Sequence, residues 1–361
     1  MLFTKEELSV LDIYVSMSDT KQVLNNKIQI KTILKENKIV FSQFSSDAVL
    51  ITIFEKENLE EFIGLYESVK LNQLIKLCPQ KATIEITDQG VLINNKSKYD
   101  FKSLGIELKE TDFVLDLIKN KKFKHNIKIK DISKMLSLRS FVGIDNFDAI
   151  MLRSGYFIAS NNSDVLGAIQ SGNDVGENTT FYFPSIVTGM FNNYKINDVE
   201  VFGIEGYNYF IIGNTYIFFP EKEYSFIDIF QEEIKTKYRH PNYIVVNKNS
   251  FAECLQRISI VADRIYLSFN ENNLVLESKS FDNDYAKEEI KIENNVVDSI
   301  KNNIFFIPVR YLSMTTSSLQ GDKVYIHIPE DMDEASNIMI QDNKNDRFYI
   351  HTLHEIAETV K

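Results

Sequence analysis

The feature that most constrains this chain is an internal repeat, because self-similarity at a domain-sized interval fixes the architecture before any single element is assigned. Three segments share a short strand, a polar turn and an amphipathic helix. They are FTKEELSVLDIYV from Phe3, IKIKDISKMLSLRSFV from Ile127 and YIVVNKNSFAECLQRISIV from Tyr243. Phe251, Leu255, Ile258 and Val261 mark the helical period in the third. The starts lie about 120 residues apart, the size of a domain.

A second unit falls about halfway along each interval and reads strand, helix, strand, strand. Its clearest copies are FYFPSIVTGMFNNYKINDVEVFGIEGYNYFIIGNTYIFF from Phe181 and IFFIPVRYLSMTTSSLQGDKVYIHIPEDMDEASNIMIQ from Ile304. Pro184 and Pro308 suit a first helical turn, where no amide is lost. The helices end near Asn193 and Gly321, and alternation such as Val324, Ile326, Ile328 resumes as strand. YESVKLNQLIKLCPQKATIEITDQGVLINN from Tyr66 keeps the order without the proline. Hairpins from Asn37 and Ile265 fill the gaps, the latter turning at Asn272 and Asn273. Six half-units make three domains, 1–120, 121–238 and 239–361, with boundaries in the charge-rich stretches Lys119 to Lys124 and Lys235 to Pro241.

The expected fold is α+β, with two helices and about eight strands per domain. Helices that always follow the same strand pack on one face of the sheets. Three domains joined edge to edge then present their helices on a common concave surface, and two chains close a ring of six domains that hides its sheet edges.

Composition bounds the function. The 361 residues are 44% hydrophobic and 25% charged, the make-up of a packed chain rather than a disordered one. Cys78 and Cys254 lie far apart with no metal-ligand spacing, so neither a disulfide framework nor a zinc site is expected. No apolar run reaches the roughly 18 residues of a membrane span, and a cytosolic protein is expected. The net charge of -11 opposes a uniformly DNA-coating surface but allows acids outside and bases on an inner wall. Asn, Lys and Ile are abundant and Trp is absent, which fits an AT-rich bacterial or viral genome.

Catalytic signatures are missing. There is no GxSxG elbow, no GxGxxG and no GxxxxGK[ST]. His351, His354 and Glu355 do not form HExxH, and Cys254 reads as a small buried helical residue. No cofactor, metal or catalytic residue is expected. Basic residues cluster on the inner helices: Lys70, Lys76, Lys134, Arg139, Arg257, Arg264 and Arg310 are the candidates for facing DNA, against acids at Glu6, Glu7 and Asp12 on the first helix.

With the repeat and these segments in view, the chain resembles the bacterial-type DNA polymerase III beta sliding clamp, in a divergent form that fits a phage or mobile element. The third domain carries most of the likeness, in VVNKNSFAECLQRISIVADRIYLSFNENNLVLES and FFIPVRYLSMTTSSLQGDKVYIHI. In the middle domain FIASNNSDVLGA stands where the family has Ala-Thr-Asp-Gly-His-Arg-Leu-Ala, and FIDI at Phe226 replaces Phe-Pro-Asp-Tyr. The first matches in order of elements and in KYDFKSL at Lys98. The family's terminal Met-Pro-Met-Arg-Leu is absent; the chain reads YIHTLHEIAETVK from Tyr349.

The resemblance implies a non-enzymatic processivity factor that encircles double-stranded DNA as a homodimer and engages DNA polymerase and clamp loader through short linear motifs. It implies a dimer junction of Tyr99 and Phe101 against Ile260 and Val261. It also implies a peptide groove of Ser160, Asn162, Ser163, Val165, Ile227, Gln231, Ile350, Thr352 and Leu353. Two other classes remain open: a clamp-like interaction protein that never encircles DNA, and an enzyme with an unrecognised site.

Overall fold

The computed structural model describes residues 1–17, 26–101, 110–120, 124–143, 147–161, 165–173, 175, 179–204, 206–221, 242–280, 284–294, 303–328, 335–342 and 346–356. Six runs of strand, helix and three strands follow one another along it. The first is β1 (Leu2–Thr4), α1 (Leu11–Met17), β2 (Lys27–Ile33), β3 (Lys38–Phe44) and β4 (Val49–Glu55). The second is β5 (Ile63–Glu67), α2 (Ser68–Leu77), β6 (Thr83–Thr87), β7 (Gly90–Ile93) and β8 (Ser97–Tyr99), after which comes a further helix, α3 (Glu110–Asn120). The third is β9 (His125–Ile129), α4 (Ile132–Ser137), β10 (Ala149–Arg153), β11 (Tyr156–Ser160) and β12 (Val165–Gln170). The fourth is β13 (Thr180–Pro184), α5 (Ser185–Asn193), β14 (Val199–Ile204), β15 (Tyr207–Ile212) and β16 (Thr215–Pro220). The fifth is β17 (Asn242–Asn247), α6 (Lys248–Ile258), β18 (Arg264–Phe269), β19 (Asn273–Lys279) and β20 (Tyr285–Lys291). The last is β21 (Asn303–Pro308), α7 (Val309–Ser318), β22 (Lys323–Ile328), β23 (Ala335–Gln341) and β24 (Arg347–Ile356).

Contacts group the chain into two compact units, 1–132 with 186–222, and 133–185 with 223–361. The first holds a four-stranded sheet, β1-β6-β7-β8, and an eight-stranded sheet, β5-β2-β3-β4-β16-β15-β14-β9. In the second, one sheet runs β13-β10-β11-β12-β24-β21-β18-β19-β20, with β17, β22 and β23 joined through β24. Each unit therefore contains a seam where strands from distant repeats pair: Val49 opposite Phe218 on β4 and β16, Val165 opposite Ile350 on β12 and β24. Pairing at a seam satisfies backbone groups that an edge strand would leave bare.

Packing explains why these segments are helices. On α1, Leu11, Ile13, Tyr14 and Met17 are buried, and the Tyr14 hydroxyl donates to Phe41 O at 2.9 Å beside Thr52 Oγ1 at 2.8 Å. Thr52 Oγ1 in turn lies 2.7 Å from Thr215 Oγ1, so a buried hydroxyl chain crosses the first seam. Burial pushes the Tyr14 phenol far up, which keeps it a neutral donor. On α6, Phe251, Cys254, Leu255 and Ile258 face inward and the Asn247 side chain caps the helix by accepting from Ser250 N at 3.1 Å.

Several local expectations shift. Pro184 ends β13, and Pro308 is the cap before α7 rather than its first turn. That helix stops at Ser318, short of Gly321. Val261 lies beyond α6, in the turn that follows Ile258. The Ile265 hairpin turns on Asn270, whose carbonyl Oδ1 accepts from the amides of Asn272 and Asn273, while Asn273 already opens β19. The stretch expected to be a polar boundary from Lys119 begins inside a helix, α3. Val114 and Leu115 of α3 pack with Val40, Val49, Ile51, Ile204, Tyr209 and Phe218, on both sides of the β4–β16 seam. Its start is fixed by buried Thr111, whose hydroxyl donates to Gln29 Oε1 at 2.9 Å and lies 3.0 Å from Ser42 Oγ.

Candidate nucleic-acid and partner interfaces

Helix α2 brings Lys70 and Lys76 to its exposed face, spaced for i, i+6 by the burial of Leu71 and Ile75 between them. Neither ammonium is free. Lys70 Nζ lies 2.8 Å from Glu67 Oε2, and Lys76 Nζ 2.7 Å from Asp12 Oδ1 on α1. Asp12 also accepts from Asn72 Nδ2 at 2.8 Å. Desolvation works against its charge, yet the bonds from Lys76 and Asn72 hold its carboxyl below the usual range. Asp12 thus ties α1 to α2.

Arg257 on α6 grips Glu288 on β20 with both arms: Nε to Oε1 at 2.7 Å and Nη2 to Oε2 at 3.0 Å. The Arg257 guanidinium holds Glu288 below the usual carboxylate range. Cys254 sits beside them, Sγ 3.2 Å from Arg257 Nη2, and its thiol is pushed up to about 11 by burial and then by Glu288. Cys254 is buried and packs against this pair. Arg310, the first-turn cation of α7, folds onto its neighbour, with Nη2 2.6 Å from the Tyr311 hydroxyl and the guanidinium 4.6 Å from the ring centroid. Arg264 opens a strand, β18, rather than extending a helix, and lies 5.1 Å over the Phe306 ring. Lys134 on α4 donates to Gln170 O at 3.3 Å. Arg139, in a short 3-10 turn after α4, is exposed with no partner among the described residues. Six of the seven candidate cations are therefore engaged within the chain, Lys70 and Arg310 with near neighbours in sequence and Lys76, Lys134, Arg257 and Arg264 with groups that only folding brings close.

The expected junction residues fall in separate units, Tyr99 and Phe101 in the first and Ile260 and Val261 in the second. Tyr99 is 42% exposed on β8, the end strand of the four-stranded sheet, and Phe101 follows half-buried. A Cβ on Gly90, at φ +148°, would stand 2.1 Å from Tyr99 O, so β8 lies against β7 as only glycine permits. Ile260 is 86% exposed in the turn after α6, with Val261 half-buried beside it.

Of the groove residues, Ser160 and Val165 come together at the turn between β11 and β12. Both are buried, and the Ser160 hydroxyl donates to Val165 O at 3.1 Å while Asn161 Oδ1 accepts from Val165 N at 3.0 Å. Ile350 pairs with Val165 across the second seam; Thr352 pairs with Ser336 and Leu353 with Ala335 along β24. Asn162, Ser163, Ile227 and Gln231 lie outside the described residues. The bound hydroxyl of Ser160 shapes its own turn. His351 and His354 lie within β24 itself.

These features define a class: a repeated α+β chain whose repeats are stitched by antiparallel seams and whose helices and helical turns carry six of the seven cationic candidates. No family model matches the sequence, and no curated protein is similar to it. Solved structures are similar. The DNA polymerase III beta subunit of Pseudomonas aeruginosa matches with a TM-score of 0.74 at 13% identity, over 98% of this chain and 99% of that one. The Caulobacter crescentus beta sliding clamp matches with a TM-score of 0.75 at 12% identity, over 98% of both chains. The Helicobacter pylori beta clamp matches with a TM-score of 0.73 at 14% identity, over 98% of this chain and 99% of that one. The chain has the fold of the DNA polymerase III beta sliding clamp, at an identity that marks a divergent sequence. No helix of the described residues is long and apolar enough to cross a membrane.

Proposed function

We propose that this chain is a sliding clamp: a non-catalytic cytosolic processivity factor whose domains, 1–120, 121–238 and 239–361, form half of a homodimeric ring around duplex DNA. The observation that carries the reading is the run of six strand-helix-three-strand units, matched over 98% of the chain by proteins described as sliding clamps. Helices packed on one face of such sheets offer phosphate contacts without sequence readout. The junction forms head to tail, β8 with Tyr99 and Phe101 meeting the turn of Ile260 and Val261 on a second copy. Polymerase and clamp loader reach the ring through short peptides at the second seam, among Val165, Ile350, Thr352 and Leu353. The departures at Asn162 and Ser163 fit a peptide preference matched to a dedicated polymerase, as in a phage or mobile-element replisome.

A specific observation favours a second reading. Six of the seven candidate cations already hold partners in the chain, as a clamp-like interaction protein that never encircles DNA would have them. One experiment separates the two. After loading, a clamp is retained on nicked circular DNA and lost when the circle is cut, and its solution mass is about twice 41.8 kDa. A persistent monomer, or equal loss from circular and linear DNA, overturns the ring.

A further inference from the structure

A cleft of about 500 Å³ opens in the first unit between the start of α1, the end of β4 and the β15–β16 turn. Volumes from roughly 300 to 1,000 Å³ accommodate small ligands and anchoring side chains. Its floor is apolar: Ile53, Ile212 and Tyr194 are each half-buried, so they keep surface in contact with water that the fold does not remove. Its rim is acidic, with Glu6, Glu7 and Glu55. Lys56 neutralises Glu7, with Nζ 2.5 Å from Oε1, but Glu6 and Glu55 are exposed and have no ion-pair partner among the described residues. Burial, and then the charge of Asp12, push the Tyr194 phenol up to about 12, so it remains a neutral hydroxyl able to donate.

Apolar surface flanked by two uncompensated carboxylates selects among partners. Nucleic acid is repelled, because phosphates would face Glu6 and Glu55. An acidic or purely apolar segment would leave those charges without a partner as it covered them. We propose that this cleft docks a cationic peptide segment of another protein, one bulky apolar side chain filling the floor of Ile53, Ile212 and Tyr194 while flanking lysines or arginines pair with Glu6 and Glu55. The chain's net charge of -11 steers such a segment toward it. This site is separate from the second-seam groove and does not depend on the clamp reading.

The probe is a set of dye-labelled octapeptides, each with a central Leu, Ile, Phe or Tyr flanked by Lys and Arg, alongside matched peptides flanked by Glu. Fluorescence anisotropy against the full chain should show the basic set binding and the acidic set failing to bind. Glu6→Lys with Glu55→Lys should weaken binding at least tenfold, and Ile212→Asp should do the same through the floor. Circular dichroism melts of all variants keep loss of binding distinct from loss of fold; both glutamates are exposed, so the charge reversal is expected to fold. Failure of every basic peptide to bind, equal binding by the acidic set, or unchanged affinity in the folded double variant overturns the proposal.

Discussion

Removing the carboxylates that occupy Lys70 and Lys76 should make the chain bind DNA more tightly and with a steeper dependence on salt. Glu67→Gln and Asp12→Asn keep the shapes of the side chains, and an asparagine at 12 can still accept from Asn72. The two ion pairs, at 2.8 and 2.7 Å, join lysines whose side chains are 61% exposed. Pairs of that kind are worth at most about 1 kcal/mol each. Turning both ammoniums toward phosphates therefore costs wild type up to about 2 kcal/mol that the double variant is spared, an affinity difference of up to roughly thirtyfold at low salt. Each phosphate newly neutralised adds about 0.9 to the slope of log K against log salt, so the variant should be steeper by up to about 1.8. Equilibrium binding to nicked circular DNA, measured across a salt series for both proteins, gives the two slopes. Equal slopes would show that these lysines do not meet phosphates, and a shallower one would refute the reasoning outright.

Ile260→Asp should leave a folded chain that is monomeric in sedimentation, because burying an isoleucine is worth about 2 kcal/mol and a junction without it weakens roughly thirtyfold before the added charge is counted. A dimer of unchanged affinity would move the junction elsewhere. Gly90→Ala should displace β8, since the new Cβ would lie 2.1 Å from Tyr99 O; faster amide exchange at 97–99 is the readout, and wild-type protection would contradict it. Glu288→Gln tests the Arg257 pair through pH. The Glu288 carboxyl is held below its usual 4.5 when folded, so its stabilisation is present above about 4.5 and is lost as pH falls through the depressed value. The melting temperatures of wild type and variant should converge on acidification, and a gap that stays constant would remove Glu288 as the titrating group.

How much of this was readable in the sequence depended on the range of the interaction. The six repeats were legible because each helix writes its own period, as in Phe251, Leu255 and Ile258, and each is followed by alternating strands. The partners of Lys76 and Arg257 were not, because Asp12 and Glu288 reach them only after the helices and strands between have packed. The apolar period that runs on through Val261 puts Arg264 on a helix, while the backbone leaves the helix at Ile258. For Ser160, the resemblance implied a place in the groove but not that its hydroxyl would be spent on Val165 O.

The largest omission, α3, shows how composition can hide a tertiary role. Lysines at 119, 121, 122 and 124 mark the stretch as a linker, yet Val114, Leu115, Leu117 and Ile118 just before them keep a helical stripe. The helix makes sense only once β4 and β16 are side by side, because its stripe meets Val49 and Ile51 from one and Phe218 from the other. Ion pairs fasten both ends: Lys31 to Asp112 at 2.9 Å and Lys119 to Glu36. A strap across a seam raises the cost of separating the two strands beneath it, since opening β4 from β16 must also uncover the apolar residues that α3 shares with both. Val114→Asp should therefore speed amide exchange along both seam strands, 49–55 and 215–220, more than in β6 and β7 of the other sheet in the same unit. Uniform acceleration through both sheets would mean that α3 supports the unit as a whole, and that the seam has no separate fastening.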